Sequence, residues 1–424
     1  MATVVPDDAA AALAKARRRL IPFLFLLYIV AYLDRINVGF AALQMNRALG
    51  FSQTTYGFGA GVFFLSYVLF EIPSNVMLAR IGARLWIARI MITWGLVSAG
   101  MMFVHGVAGF YTLRFLLGMA EAGFFPGIIF YFTRWFPARE RARTIATFMT
   151  ATLTAGVIGA PISGALLSLQ GGGLAGWQWL FLLEGLPAVV LGVVVLFVLP
   201  DGPESAPWLT VVERDAVVGR LREDVRTGDR QSHTLGEALA SGRVWLIAIA
   251  HFLLIPVTLY GLGFWMPQMI KTASGGDDFS VGLLTAIPYA AGAVAMVLAG
   301  RHSDRTGERR WHVAAGAFVS AVGLAAATVA AGTAASLTAL SIAMIGLASI
   351  FGPFWALATG TARGIGAAGA IALINSVGNT GGFVGPYLLG AISDATHSFA
   401  VGLLVIAALM LTGAALVVLA PREA

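Results

Sequence analysis

The chain has 424 residues, of which 58% are hydrophobic and 11% charged, and its mean hydropathy is +0.84. A soluble protein of this length carries far more charge, so the composition excludes a soluble domain and indicates an integral membrane protein. The formal net charge is +6, and the absence of cysteine excludes disulfides and thiol catalysis.

Twelve apolar stretches follow one another along the chain, separated by breaks of Gly, Pro or charge. A helix needs about 20 mostly apolar residues to cross a bilayer. The stretches cover residues 20–43, 55–79, 84–105, 109–132, 144–169, 177–199, 244–270, 279–300, 312–332, 335–358, 368–393 and 398–420. The sequence therefore predicts an all-α membrane protein with twelve transmembrane helices, the first of which is too long for a signal-peptide core.

The basic residues are distributed unevenly over the segments that connect these spans. If the N-terminus is cytoplasmic, all but four of the 27 Lys and Arg residues fall in cytoplasmic segments. Arg47 and Lys271 lie outside, and Arg35 and Arg114 lie within spans. By the positive-inside rule, both termini are expected in the cytoplasm. The same surplus explains the positive net charge without nucleic acid as a partner.

Residues 201–242 are polar and charged and separate two groups of six spans. This break predicts an N-terminal half over residues 1–200, a cytoplasmic linker over 201–242 and a C-terminal half over 243–424.

The two predicted halves resemble each other at an offset of 225 residues. ARIGAR (79–84) aligns with DRTGER (304–309), and GVIGAPISGA (156–165) aligns with GFVGPYLLGA (381–390). Two matches at one offset argue for duplication. Parallel six-helix halves that bind a substrate between them at the membrane midplane are a known transporter architecture.

Four charged residues fall inside the predicted spans: Asp34 and Arg35 on the first, Arg114 and Glu121 on the fourth. Each such charge costs about 2.5–3.5 kcal/mol at the centre of a membrane helix, so it needs a partner and usually has a function. The helical rise puts Arg35 and Arg114 at the same depth, and Arg114 shares a helix face with Glu121. Asp34 points about 100° away from Arg35, so each needs a partner on another helix.

These residue types suit a carrier of organic anions. The forked donors of two guanidiniums match a carboxylate ligand, which predicts substrate binding by Arg35 and Arg114. Two carboxylates whose protonation depends on burial and on a nearby arginine suit proton exchange, which predicts that role for Asp34 and Glu121. The alternative is a fixed ion-pair cluster that clamps the two helices together.

Other polar residues within the spans give weaker signals. Tyr32 and Tyr67 can donate hydrogen bonds to a polar ligand, and Asn375 and Asn379 lie one turn apart on one face of the eleventh predicted helix. Packing or bonding between helices explains them equally well. Glu71 and Glu184 are interpreted as structural, and His251 is either a proton relay or, as is commoner for a lone histidine, a structural residue.

Four stretches, YLDRINVGFA, EIPSNVMLARIGAR, RFLLGMAEAGFFPG and YGLGFWMPQMI, together resemble the anion:cation symporter branch of the major facilitator superfamily. The resemblance covers all twelve predicted spans and implies uptake of a small organic anion with protons. By motif it implies that Asp34 and Glu121 take protons and that Arg35 and Arg114 bind or guard the substrate carboxylate. It also implies that both tyrosines and an asparagine of the eleventh helix line the substrate pocket.

The loop signature of the superfamily, Gly-x3-Asp-Arg-x-Gly-x-Arg, is complete in the second half at GRHSDRTGER. Asp304, Arg305 and Gly307 of this loop are predicted to act as a structural gate. The first half reads NVMLARIGAR, with Ala79 where the aspartate is expected. A latch built on that aspartate is therefore expected to be absent or to lie on one side only.

The sequence thus predicts a monomeric symporter of a bacterial inner membrane that imports a hydroxylated carboxylate, of sugar-acid or tartrate type, together with protons. Export or uncoupled diffusion of organic or aromatic acids by the same fold is an alternative. A receptor for the same anion is a second alternative, although the linker is short for an output domain. Without a Walker loop, a catalytic motif or a metal-binding motif, the sequence argues against an enzyme and calls for no cofactor.

Overall fold

The structure is a computed structural model that describes residues 6–227, 235–361 and 367–420. Residues 228–234 of the predicted linker lie outside the described residues. Before the linker, the described residues form eight α-helices: α1 (Pro6–Leu49), α2 (Gln53–Ile81), α3 (Ala83–Gly100), α4 (Val107–Glu121), α5 (Phe124–Thr133), α6 (Ala138–Met149), α7 (Ala151–Leu167) and α8 (Gly176–Val198).

Two helices, α9 (Val211–Thr227) and α10 (Leu235–Ala240), lie within the predicted linker. The second half contains α11 (Gly242–Leu254), α12 (Pro256–Ser274), α13 (Asp278–Thr306), α14 (Arg310–Val329), α15 (Gly332–Thr361), α16 (Ala367–Asn379), α17 (Gly381–Thr396) and α18 (Ala400–Leu419). We call α1–α8 the N half and α11–α18 the C half. The domain boundaries themselves stay a prediction.

Among the described residues, eleven helical segments are long and apolar enough to cross a membrane. They correspond to every predicted span except 368–393, which is divided between α16 and α17 at Thr380. The all-α membrane fold is confirmed, and span 368–393 is formed by two shorter helices.

Three other spans predicted as continuous are also divided: 109–132 between α4 and α5, 144–169 between α6 and α7 at Thr150, and 244–270 between α11 and α12. The first and the last of these breaks have a local cause. Between α4 and α5, Gly123 has a φ of +85°, which a residue with a side chain rarely adopts. A Cβ on Gly123 would lie 2.4 Å from Ser74 Oγ, so the close approach of α2 also requires glycine. Between α11 and α12, the break at Ile255 precedes Pro256, whose ring cannot continue the preceding hydrogen-bond pattern.

The two halves pack closely at one end of the bundle. We name the face at which α1 begins the terminal face, and the face at which α2 begins the distal face. Near the distal face, a Cβ on Gly57 would lie 2.5 Å from the carbonyl oxygen of Pro386, and a Cβ on Gly282 would lie 2.4 Å from that of Ala160. Small residues let these helix backbones touch across the interface between the halves.

Hydrogen bonds also join the halves near the distal face. The carboxylate of Asp394 on α17 accepts from the backbone N–H groups of Gln53, at 3.0 Å, and Thr54, at 2.7 Å, which begin α2. Gln44 of α1 donates to Asp278 of α13 at 2.7 Å. A carboxylate at a helix N-terminus satisfies amides that have no partner within the helix, so the Asp394 contact stabilises the closed distal face.

The predicted gate residues lie in the last turn of α13 and directly after it. Asp304 has 74% of its side chain exposed and forms an ion pair with Arg309 at 2.7 Å. Arg305 is exposed, and Gly307 ends α13 with a φ of +69°. These contacts are local to the turn between α13 and α14, and the gating role stays a prediction.

The equivalent loop of the N half obtains its carboxylate from elsewhere. Asp201, just after α8, accepts a hydrogen bond from the backbone N–H of Arg84 at 2.9 Å and lies 3.9 Å from its guanidinium. Arg84 occupies the position that aligns with Arg309. The N half has Ala79 where the loop signature has an aspartate. Asp201, from a distant part of the sequence, supplies a carboxylate to this loop instead.

Candidate functional site

The centre of the site is an ion pair between α1 and α4. Arg35 Nη2 donates to Glu121 Oε1, and the two side chains are 11% and 1% exposed. Because both are charged and lie within membrane-spanning segments, neither would be stable there without the other. Arg35 keeps some exposed surface, so it remains reachable by a ligand.

Glu121 depends on this partner because of where its helix ends. It is the last residue of α4, directly before the break at Ala122 and Gly123. The carbonyl end of a helix carries partial negative charge, which disfavours a carboxylate. The ion pair with Arg35 therefore stabilises a carboxylate at an otherwise unfavourable position.

Arg35 also contacts the C half. Its Nη1 donates to the hydroxyl of Tyr260 on α12 at 3.2 Å, and its guanidinium lies 5.5 Å from the ring centroids of Phe63 and Tyr67. Tyr260 was not among the predicted site residues, although it lies in a stretch that carries the family resemblance. Tyr260 is separated from Arg35 by 225 positions, which is the offset of the internal repeat, so it occupies the equivalent position of the C half. A search of the positions equivalent to the charged residues would have found it.

A second hydrogen bond between the halves lies beside Arg35. Asn375 Nδ2 on α16 donates to Glu71 Oε1 on α2 at 3.2 Å, and Glu71 interacts electrostatically with both Arg35 and Tyr67. The other oxygen of Glu71 is buried without a hydrogen-bond partner. Arg35 and the bonded pair of Glu71 and Asn375 therefore lie in one polar cluster that includes residues of both halves, with no described hydrogen bond from Arg35 to Glu71.

Arg114 lies near this cluster but is oriented towards α2. Its Nε donates to Gly59 O at 3.2 Å, its Nη2 donates to Ala60 O at 2.9 Å, and the side chain is fully buried. Its Nη1 has no hydrogen-bond partner. A Cβ on Gly118 would lie 2.1 Å from Phe63 O, so this glycine lets α2 approach α4 closely.

Asp34 points away from Arg35, towards α3. Its carboxylate accepts from Trp94 Nε1 at 2.7 Å and Ser98 Oγ at 2.8 Å, both on α3, and from Asn37 Nδ2 at 3.3 Å. The prediction that Asp34 and Arg35 have partners on different helices is confirmed. Asp34 therefore does not belong to the cluster around Arg35.

The remaining predicted residues surround Arg35 to different degrees. Tyr67 packs beneath its guanidinium, and Asn375 reaches the cluster through Glu71. Tyr32 packs 6.5 Å from the ring of Tyr28, and its hydroxyl makes no hydrogen bond to another described residue. Asn379 is half-buried at the end of α16. Neither Tyr32 nor Asn379 contacts Arg35 through a described hydrogen bond.

The other ionisable residues within the spans have local partners. His251 Nδ1 lies 3.1 Å from Ile374 O, and its ring stacks on Phe354 at 5.2 Å. Glu184 accepts from Ser163 at 2.7 Å. Within the part of the chain that the structure describes, no group of three His, Cys, Asp or Glu side chains is placed to hold a metal ion.

Comparisons with known proteins agree with this architecture. Residues 24–386 match the family model of the Major Facilitator Superfamily. The chain is 51% identical to a protein of Agrobacterium vitis named "Putative tartrate transporter", over 97% of this chain and 95% of that protein. It is 42% identical to a protein of Pseudomonas putida named "Putative metabolite transport protein NicT", over 97% of this chain and 94% of that protein.

A solved structure shares the fold. A bacterial homologue of the human lysosomal transporter Spinster, in an inward-facing and unoccupied conformation, superposes with a TM-score of 0.79. The match covers 95% of this chain and 96% of that chain at 18% identity. The family match and both relatives extend over almost the whole sequence, so the chain belongs to the major facilitator superfamily and is a membrane transporter, not an enzyme.

Proposed function

We propose that this transporter imports a small hydroxylated carboxylate, of sugar-acid or tartrate type, together with protons. The observation that carries the proposal is the Arg35–Glu121 ion pair, with Arg35 also bonded to Tyr260 of the C half. The name of the relative from Agrobacterium vitis supports a tartrate-type substrate. The protein acts in a bacterial inner membrane, with both termini in the cytoplasm.

The ion pair suggests how proton and substrate binding are linked. A proton that binds Glu121 neutralises it and leaves the positive charge of Arg35 without a counter-ion. The carboxylate of the substrate then replaces that of Glu121, and the forked guanidinium can bind it with two parallel hydrogen bonds. Loss of the proton restores the pair and displaces the substrate, so each step keeps the buried charge balanced.

The position of Arg35 between the halves links binding to conformational change. Tyr260 and Asn375 belong to the C half, while Arg35, Glu71 and Glu121 belong to the N half. A hydroxylated anion bound between them would contact both halves, which can bias the rocking of one on the other. With both termini in the cytoplasm, the distal face is extracellular, and its close packing corresponds to a conformation closed to the outside.

The role of the carboxyls is tested in proteoliposomes with Asp34→Asn and Glu121→Gln. Both variants are expected to exchange labelled tartrate across the membrane but to fail to accumulate it under a pH gradient, because the neutral side chains cannot release a proton. Glu213→Gln, which removes the partner of Lys15 at 2.9 Å outside the spans, serves as the control. Undiminished accumulation in both test variants would contradict proton coupling and favour a fixed clamp between α1 and α4.

The role of Arg35 is tested by substrate binding. Arg35→Ala is expected to abolish the rise in melting temperature that carboxylates cause in the wild-type protein, because the guanidinium is the proposed anion contact. A panel of sugar acids, dicarboxylates and aromatic acids would at the same time identify the preferred ligand. Wild-type affinity in Arg35→Ala would remove the basis for the proposed carboxylate site.

A further inference from the structure

Two buried carboxyl groups lie within the N half, away from the cluster around Arg35. Asp34 on α1 and Glu184 on α8 are 1% and 5% exposed. Asn37, one turn after Asp34, donates to Asp34 Oδ1 at 3.3 Å and also lies against the side chain of Glu184. Asn37 therefore links the two carboxyls within the bundle of α1, α3, α7 and α8.

This pair has no positive partner in the described part of the chain. The ion pairs of the described residues include neither Asp34 nor Glu184, and the helices around them contribute neutral donors: Trp94, Ser98 and Ser163. The next carboxyl that acts on Asp34 is Glu121 of α4, which is also negative when ionised. Two buried carboxylates without a cation repel each other and lose their hydration, so only one of them can be ionised.

The hydrogen bonds indicate which group holds the proton in this conformation. Asp34 accepts from three donors, which suits a carboxylate. Glu184 accepts from one donor, Ser163, and its Oε2 is buried without a partner. The Oδ1 of Asn37 is likewise buried without a partner. Glu184 Oε2 and Asn37 Oδ1 are both acceptors when Glu184 is ionised, so neither can satisfy the other. A proton on Glu184 provides the hydrogen-bond donor that is missing.

We propose that Asp34 and Glu184 share one proton and that Glu184 is a third proton-binding residue of the transporter, beside Asp34 and Glu121. The proton leaves the carboxyl of Glu184 and binds that of Asp34, the negative charge moves in the opposite direction, and no other bond changes. The amide of Asn37 lies against both groups and can donate to whichever is ionised. The inference rests on the proposed proton coupling and assigns a function to a residue that the sequence alone presented as structural.

The test compares Glu184→Gln with Glu184→Asp. In Glu184→Gln, exchange of labelled substrate should persist, while the pH dependence of accumulation should move to lower pH by about one unit. The reason is that the pair releases its second proton only at higher pH, because both carboxyls cannot be ionised together, and Glu184→Gln leaves Asp34 as the one titrating group. Glu184→Asp keeps an ionisable group and should restore the wild-type profile. Ser320→Ala, which removes a buried hydroxyl of the C half, controls for the loss of a buried polar group.

Infrared difference spectra provide a readout that does not depend on transport. The carbonyl band of a neutral carboxyl, identified by its shift in heavy water, should be present in the wild-type protein and lost in Glu184→Gln. An unchanged pH profile together with an unchanged band would overturn the proposal. If Asp34→Asn and Glu121→Gln lose accumulation while Glu184→Gln keeps the wild-type profile, only this inference fails. If all three accumulate normally, the proposed coupling itself fails.

Discussion

Arg35 of α1 donates a hydrogen bond of 3.2 Å to the hydroxyl of Tyr260 on α12, and the two residues are separated by 225 positions. This separation equals the offset at which the halves align, so the bond joins equivalent positions of the two repeats. The C half has uncharged residues at the positions equivalent to the other three intramembrane charges: Leu259, Ala339 and Gly346. The charged cluster therefore belongs to the N half, and the C half contacts it through a neutral hydroxyl.

Tyr260→Phe is expected to weaken substrate binding by about tenfold, because a hydrogen bond to a charged group contributes about 1.5–3 kcal/mol. The change keeps the ring that packs on Phe64 at 4.2 Å and removes only the hydroxyl. Thermal-shift titration with the preferred carboxylate measures the effect. Tyr289→Phe is a matched control in the C half, since Tyr289 is equally buried but does not bond to Arg35. Equal losses in the two variants would argue against a specific role for Tyr260.

Gly123→Ala should destabilise the protein by about 2 kcal/mol or more, because the new side chain meets both a left-handed backbone and the side chain of Ser74. Gly109→Ala is the control, since this glycine of α4 has ordinary helical backbone and a Cβ added to it would meet no atom within 4 Å. That change should stabilise α4 by about 0.5–1 kcal/mol. Thermal unfolding in detergent would show opposite shifts, and equal shifts would contradict the account of the helix break.

Asp394→Ala should shift the equilibrium at the distal face towards the open conformation by about fivefold, because α2 loses the carboxylate that caps its first amides. Asp277→Ala is the matched control: Asp277 accepts from Ser280 N at 2.7 Å at the start of α13, within one half. The chain has no cysteine, so single cysteines at Arg47 and Ser398 can carry spin labels without further changes. If both variants give the same distance distribution, the contact with Asp394 does not hold the face closed.

Glu308, in the loop before α14, should make stability depend on pH. Partial burial opposes the charge of this carboxylate, but hydrogen bonds from the backbone amides of Trp311 and His312 and from the His312 ring hold the pKa of Glu308 below its ordinary value. Because the folded pKa is the lower one, the stabilisation is complete above the ordinary value of about 4.3 and is lost as the pH falls through the folded value.

Glu308→Gln tests this dependence through melting temperatures between neutral and acidic pH. At neutral pH the variant should be less stable by about 0.5–1 kcal/mol. This value is at the low end of the range for a residue that caps a helix, because the site is partly exposed. The two proteins should converge in acid, where the wild-type carboxyl is also neutral. A constant difference across the pH range would mean that the charge of Glu308 does not contribute.

The sequence predicted the directions of side chains best where they depend on the geometry of a single helix. The different directions of Asp34 and Arg35 follow from the rotation of an α-helix, and the structure agrees, since Asp34 bonds to α3 and Arg35 to α4. The sequence did not predict the partners of Arg114 and Glu184. Arg114 bonds to the backbone of α2, and Glu184 lies beside Asn37 and Asp34. Both outcomes depend on how neighbouring helices rotate about their axes, which a hydrophobic pattern does not specify.

The sequence by itself determined that this protein lies in a membrane, that it has two related halves, and that its buried charges are concentrated on α1 and α4. These properties follow from composition, segment length and helical periodicity, which act along the chain. Only the tertiary structure decided that Glu121 ends a helix beside Arg35 and that Tyr260 completes the contact from the other half. The reason is that partners far apart in sequence are selected by close packing, where glycines such as Gly118 set how near two helices can come.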